Sequence, residues 1–207
     1  LRCLPRFARI LERADPRTSE SKMAFGDFAE QLSLLPLFLQ IMRLNPIYDL
    51  EIERMLTLLR HAMLEDAIAG NHEANEMSLS AAIALHCSIN EFVFFESEEE
   101  TIEVRKLEYQ VAAMVKEGRD VSPLSVAALG AYRPLYGFPW AQKLSERAWV
   151  GDIKEVIERQ ILEPQEELAL RSQIAQLTPI QDNVSLAVRD QYEENPYPRW
   201  TKTGTEA

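Results

Sequence analysis

Apolar residues recur along this chain at steps of three and four and almost nowhere at steps of two, so the pattern predicts one helix after another. The clearest segment follows Asp49, where Ile52, Met55, Leu56, Leu59, Met63 and Ala67 share a face. Asp49 is placed to cap its first turn, and Gly70-Asn71 supply a stop after Ala69. Ser97 and Glu100 have the spacing of a capping box, with acidic residues 98–100 at the positive end of a helix that carries Val104, Leu107, Val111, Met114 and Val115 toward Gly118. Between these two, Met77 to Phe95 reads as a helix apolar on all sides through Leu79, Ile83, Leu85, Ile89, Phe92 and Val93, and such a helix is buried by its neighbours. On this reading the run Phe92-Val93-Phe94-Phe95 ends the helix rather than forming a strand, and Asn90 and Glu91 are polar groups held within it.

The second half continues the pattern in shorter segments. Ser122-Pro123 opens a helix that stops near Arg133-Pro134. Asp152 and Glu155 are spaced as another box, ahead of Ile153, Val156, Ile157 and Ile161, and Pro164 should kink or restart that helix before Leu170, Ile174 and Leu177. Thr178-Pro179 with Gln181 starts a final helix bearing Ile180, Val184, Ala187, Val188 and Tyr192, closed by Asn195-Pro196. At the other end, a polar loop over residues 15–22 separates a short basic helix from the Phe25, Phe28, Leu32 series. The expected fold is therefore all-α: a multi-helix array of antiparallel and orthogonal packings with a buried central helix and an extended Pro/aromatic tail. Its expected divisions are an amino-terminal helix and loop (1–22), a helical domain (23–195) and a connector (196–207). No window carries the Trp-Leu-Gly-Tyr pattern of a tetratricopeptide repeat.

Composition narrows the function. At 207 residues and 46% hydrophobic the chain can bury a core, and its net charge of -11 disfavours broad contact with nucleic acid. The two cysteines, Cys3 and Cys87, are no disulfide framework, so the expected setting is a reducing cytoplasm. Apolar runs break well short of the ~20 residues a membrane helix requires, so no membrane partner is expected. None of the seven glycines is spaced as a phosphate or nucleotide cradle. The chain begins at Leu1 and stops soon after its most distinctive motif, and we expect it to be a piece of a longer protein.

Candidate chemistry is sparse. His61, His72 and His86 lack the spacing of a shared site; His72-Glu73 opens like a zinc-protease helix, but Glu76 stands where the second His belongs. No metal site follows, and all three histidines read as structural or solvent-facing. Cys87 reads as a packed core thiol, and Asn90-Glu91 as buried polar residues that hold a neighbouring helix or loop by hydrogen bonds. The strongest signal is the carboxyl end, where Asn195-Pro196 stops a helix and Pro196 and Pro198 hold the chain extended. The rings of Tyr192, Tyr197 and Trp200 are then presented rather than buried by their own segment, as a docking strip.

The string QYEENPYPRW, with LTPIQDNVSLAVR before it, resembles the segment leading into the catalytic domain of bacterial S-adenosylmethionine-dependent methyltransferases that carry amino-terminal tetratricopeptide repeats. The stretches SINEFVF and AYRPLYGFP are similar to the helical region between repeats and catalytic domain in that family. The resemblance spans the chain from about Pro36, and the terminal motif is its distinctive part. It implies a Rossmann-like domain beyond this one, holding S-adenosylmethionine; this chain has neither that domain's Gly-rich loop nor its ribose-binding acid, so no catalytic residue and no cofactor is assigned to it. Only Tyr192, Glu193, Asn195, Pro196, Tyr197, Pro198, Arg199 and Trp200 match a motif, as a connector covering the cofactor pocket. The implied role is a non-catalytic helical domain that positions substrate or a partner and docks the catalytic domain. The alternative is a self-contained helical protein-interaction module whose acidic surface takes a basic partner.

Overall fold

A computed structural model describes residues 5–13, 25–71, 77–171, 173 and 182–194, and every regular element among them is helical. In chain order these are α1 (Pro5–Arg13), α2 (Phe25–Ser33), α3 (Pro36–Leu44), α4 (Leu50–Ala69), α5 (Met77–Ile89), α6 (Glu98–Lys116) and α7 (Pro123–Tyr132). After a 3-10 turn at Leu135–Gly137 come α8 (Ala141–Ser145), α9 (Asp152–Ile157), a π turn (Glu158–Leu162), α10 (Glu163–Arg171) and α11 (Asn183–Glu194). The predicted caps of α4, α6 and α7 form: Asp49 accepts from the amides of Glu51 and Ile52, Ser97 and Glu100 cap reciprocally, and Ser122 accepts from Leu124. Gly70 and Gly118 close α4 and α6 in the left-handed conformation that glycine adopts without a steric penalty.

The centre is α5 packed against α7. Both are short and rich in small residues, with Ala81, Ala82 and Ala84 on one and Ala127, Ala128, Gly130 and Ala131 on the other, all buried. Small side chains let the two backbones approach closely, and the surrounding helices then cover them on every side. Helices α3 and α9 pack on α5, α4 and α6 on the α7 side, and α2 contacts α3, α4 and α5. Phe7 and Ile10 of α1 belong to the same buried cluster, with the Phe7 ring 4.9 Å from that of Phe38.

Two local expectations are corrected. The central helix stops at Ile89, not Phe95, because the chain closes in a Schellman arrangement: Phe92 N donates to Cys87 O (2.9 Å) and Glu91 N to Ser88 O (3.1 Å). Glu91 occupies the left-handed position where glycine is usual, at φ 54°, so no glycine marks this stop. Asp152 and Glu155 do not cap α9. Its cap position is Gly151, and the two carboxylates instead take the guanidinium of Arg43 from α3, at 2.8 and 2.9 Å. The α-helix restarts at Pro164 as expected: the π turn intervenes, with Glu163 N donating five residues back to Glu158 O, and α10 begins at Glu163 with Pro164 in its first turn. The predicted loop over 15–22, the start of the last helix at Thr178 and the tail beyond Glu194 lie outside the described residues.

That π turn delivers Gln160 into the crevice between α5 and α7, where its Nε2 donates to Ala84 O (3.0 Å) and Gly130 O (2.9 Å). The Gly130 carbonyl depends on this. Its α-helical donor would be residue 134, which is proline and has no N–H. A Cβ at Gly130 would stand 3.1 Å from Gln160 Oε1, so glycine is also what leaves room for the amide. Replacing Gln160 by Leu keeps the volume but leaves the buried Gly130 carbonyl without a donor, and we expect it to lower stability by about 1–3 kcal/mol in urea unfolding. A Leu variant as stable as the parent would show that this carbonyl finds another donor.

Candidate functional site

Inside α4, Arg60 sits at a stripe position between Leu56 and Met63 and is 1% exposed. A buried guanidinium demands a partner for its charge and acceptors for its N–H groups. Its Nη2 donates to Phe95 O and lies 3.7 Å from Glu100 Oε1, and the cation stacks 4.0 Å from the centre of the Tyr132 ring. Its Nε is left without a hydrogen-bond partner. Glu100 serves two structures at once: Oε2 accepts from Ser97 N (2.8 Å), completing the α6 capping box, while Oε1 accepts from Tyr132 Oη (2.6 Å). Burial and the Glu100 carboxylate raise the Tyr132 hydroxyl above its ordinary value, against the opposing pull of Arg60. Burial likewise pushes the neighbouring Cys87 thiol up to about 12, although Arg60 opposes it. Burial thus disfavours the charged form of both groups, and the cluster ties α4, α6 and α7 together.

The turn between α5 and α6 is fastened to this cluster. Glu96 takes Arg133 through two bonds of 2.6 Å and accepts from Thr101 Oγ1 at 2.8 Å. The Arg133 hydrogen bonds hold the Glu96 carboxyl below its ordinary value despite partial burial, and Glu96 in return raises Arg133. Glu91 and Phe92 are the two non-glycine residues with positive φ among the described residues, a strain of about 1–3 kcal/mol each. The chain between them and the α6 cap alternates: Phe92 and Phe94 pack on the core, while Val93 and Phe95 are 78% and 74% exposed.

These positions correct the sequence-based assignment of Asn90 and Glu91 as buried polar residues. Asn90 is half-buried and Nδ2 donates to His86 O (2.8 Å), closing its own helix, and Glu91 is exposed. Of the connector residues, Tyr192 projects from α11 with 60% of its surface exposed, and Glu193 lies in the same helix. Asn195, Pro196, Tyr197, Pro198, Arg199 and Trp200 lie outside the described residues. His61 pairs with Glu103 at 3.5 Å near the surface, and His72 and Cys3 are outside the described residues. Among the described residues no cluster of His, Cys, Asp or Glu could hold a metal ion, and no helix is long and apolar enough to cross a membrane.

Sequence reading missed Arg60, Glu100 and Tyr132 as a group. The available signal was a charged residue standing at an apolar stripe position of α4, where Leu56, Arg60, Met63 and Ala67 follow at helical steps. His86 was assigned a structural role, and its partner explains why. Nδ1 lies 3.1 Å from Met42 O, a carbonyl whose helical donor would be Pro46, so the neutral ring supplies a missing N–H. Burial lowers the His86 pKa, with the backbone carbonyls of Met42 and Asn45 opposing.

No family model matches the chain, and comparison with curated proteins and with solved structures gives no significant match to either.

Removing Arg60 alone should be severe, because it leaves Glu100 buried without its cation. We expect Arg60→Met to cost about 3–5 kcal/mol in chemical unfolding, and the double variant with Glu100→Gln to recover part of that loss. Strictly additive losses would contradict the pairing. His86 gives a pH dependence of definite sign. Since its folded pKa lies below the unfolded value of about 6.5, its contribution is full above that pH and is lost as pH falls through the window below it. The parent should therefore melt at progressively lower temperature between pH 7 and 5, and His86→Asn, which keeps a donor near Met42 O without a proton to gain, should flatten that slope.

Proposed function

We propose that this chain is a non-catalytic helical module that docks a neighbouring domain through α11 and the residues after it. This is the role implied by its resemblance to the helical region preceding the catalytic domain of S-adenosylmethionine-dependent methyltransferases. The observation that carries the reading is α11 itself. Val184, Val188 and Tyr192 recur at four-residue steps, all three are exposed, and none of the described side chains of this helix is buried. An amphipathic helix that leaves its apolar stripe in water has a surface ready for another partner. Asp182, which accepts from Ser185 N at 2.9 Å, caps its start, so the helix is a defined element rather than a fraying end.

The body of the module supports a positioning role. Its buried Arg60 and Glu100 and the partly buried Arg43 are engaged in ties between helices, and burial disfavours the charged forms of its thiol and phenol. S-adenosylmethionine does not fit these residues: Gly130 is filled by Gln160, while Gly70, Gly118 and Gly151 close or open helices, and none forms a cradle. In this reading the cofactor belongs to the docked domain, and the acid-rich chain works in the cytoplasm. The test compares two measurements on the pair Val188→Ser and Tyr192→Ala. In the longer protein we expect weakened S-adenosylmethionine binding or turnover, while the melting temperature of residues 1–207 alone stays nearly unchanged. A large drop in that melting temperature would instead place α11 in this chain's own core.

A further inference from the structure

A different element, the α5–α6 turn, carries a second surface. The turn spends two strained residues, Glu91 and Phe92, to send Val93 and Phe95 outward, and it is then clamped from within. Arg60 holds the Phe95 carbonyl, Arg133 holds Glu96, and the Ser97–Glu100 box fixes the start of α6 two residues later. An aromatic ring that is exposed on a backbone fixed at three points loses little conformational freedom when it is covered. Apolar side chains held outward on a backbone fixed by its surroundings form a surface suited to binding.

The surroundings say what covers it. Glu98 and Glu99 of the first α6 turn, three and four residues after Phe95, are exposed, Ile102 is exposed one turn further along, and the whole chain carries a net charge of -11. The apolar residues therefore sit at an acidic rim. Two copies, each of net charge -11, repel one another, and anionic lipid or nucleic acid would be repelled as well. We propose that Val93, Phe95 and Ile102, rimmed by Glu98 and Glu99, form a docking surface for a basic amphipathic peptide segment, its apolar face on the rings and its Lys or Arg side chains on the two glutamates. Exposed Arg105 and Lys106 on the next turn of α6 bound the acidic rim and set the direction in which such a segment lies.

This surface goes beyond the reading based on α11 and stands independently of it. The test uses a fluorescent synthetic Leu/Lys amphipathic helix of about 14 residues, titrated with the full chain near physiological salt and followed by anisotropy. Binding should weaken about tenfold or more in Val93→Ser/Phe95→Ser, and measurably in Glu98→Gln/Glu99→Gln, with melting temperatures unchanged because all four side chains are exposed. The Leu/Glu counterpart should not bind, and Val188→Ser/Tyr192→Ala should bind as the parent does, which separates this surface from α11. Equal binding by the parent and by Val93→Ser/Phe95→Ser would overturn the proposal, since the peptide would then be held by diffuse charge alone. So would self-association of the parent that Phe95→Ser abolishes, which would assign the turn to a second copy.

Discussion

A helix that ends inside a protein leaves carbonyls with no internal donor, and burying them without partners is too costly for a fold of marginal stability. This chain places several helix ends against its core, and side chains from other helices meet them. Two of those ends are followed by proline. Pro46 removes the donor for Met42 O and Pro134 the donor for Gly130 O, and His86 and Gln160 reach the two orphaned carbonyls from outside their helices. The pattern extends beyond proline: Arg159 donates to Arg43 O in the last turn of α3. The order in which helices can pack is therefore set by which polar side chain reaches which helix end, and less by the apolar contacts, which tolerate repacking.

The same requirement accounts for the buried charge. Arg60 reaches the carbonyl of Phe95, and once a guanidinium is drawn that deep it must be neutralised, which is why Glu100 combines a capping role with an ion pair and Tyr132 offers both its ring and its hydroxyl. Surface ion pairs such as Arg119–Glu117 add little by comparison, because water competes for both partners. Arg43 lies between these extremes. Burial pushes its partner Asp152 up, but hydrogen bonds from Ser78 and Arg43 and the charge of Arg43 hold that carboxyl below its ordinary value, so the pair remains ionised at the junction of α3, α5 and α9.

Most of the helix plan was legible because local rules and tertiary packing agree. The caps at Asp49, Ser97 and Ser122 and the glycine stops at Gly70 and Gly118 are determined within a few residues, and α5 is apolar all round because it is the element that others cover. Legibility failed where a residue's partner is distant in the chain. Asp152 and Glu155 have the spacing of a cap and serve Arg43, more than a hundred residues earlier. The stop of α5 was hidden because glutamate, not glycine, takes the left-handed position, and the conformation is held by contacts that Arg60 and Arg133 bring from elsewhere. Of the candidate site, the exposure of Tyr192 agrees with a helix whose ring is presented, whereas the buried ion cluster was invisible because Arg60, Glu100 and Tyr132 converge only in space.

An interior stitched by polar side chains also constrains where function can reside. His86 is committed to a carbonyl, and burial disfavours the charged forms of Cys87 and Tyr132. Among the apolar groups left on the outside are the stripe of α11 and the turn that exposes Val93 and Phe95. The two differ in kind. The stripe of α11 belongs to a helix with no buried side chain among those described, while the turn is clamped through the Phe95 carbonyl to the buried Arg60. The internal network thus acts on function through geometry: it holds an exposed surface in the one conformation that a partner meets.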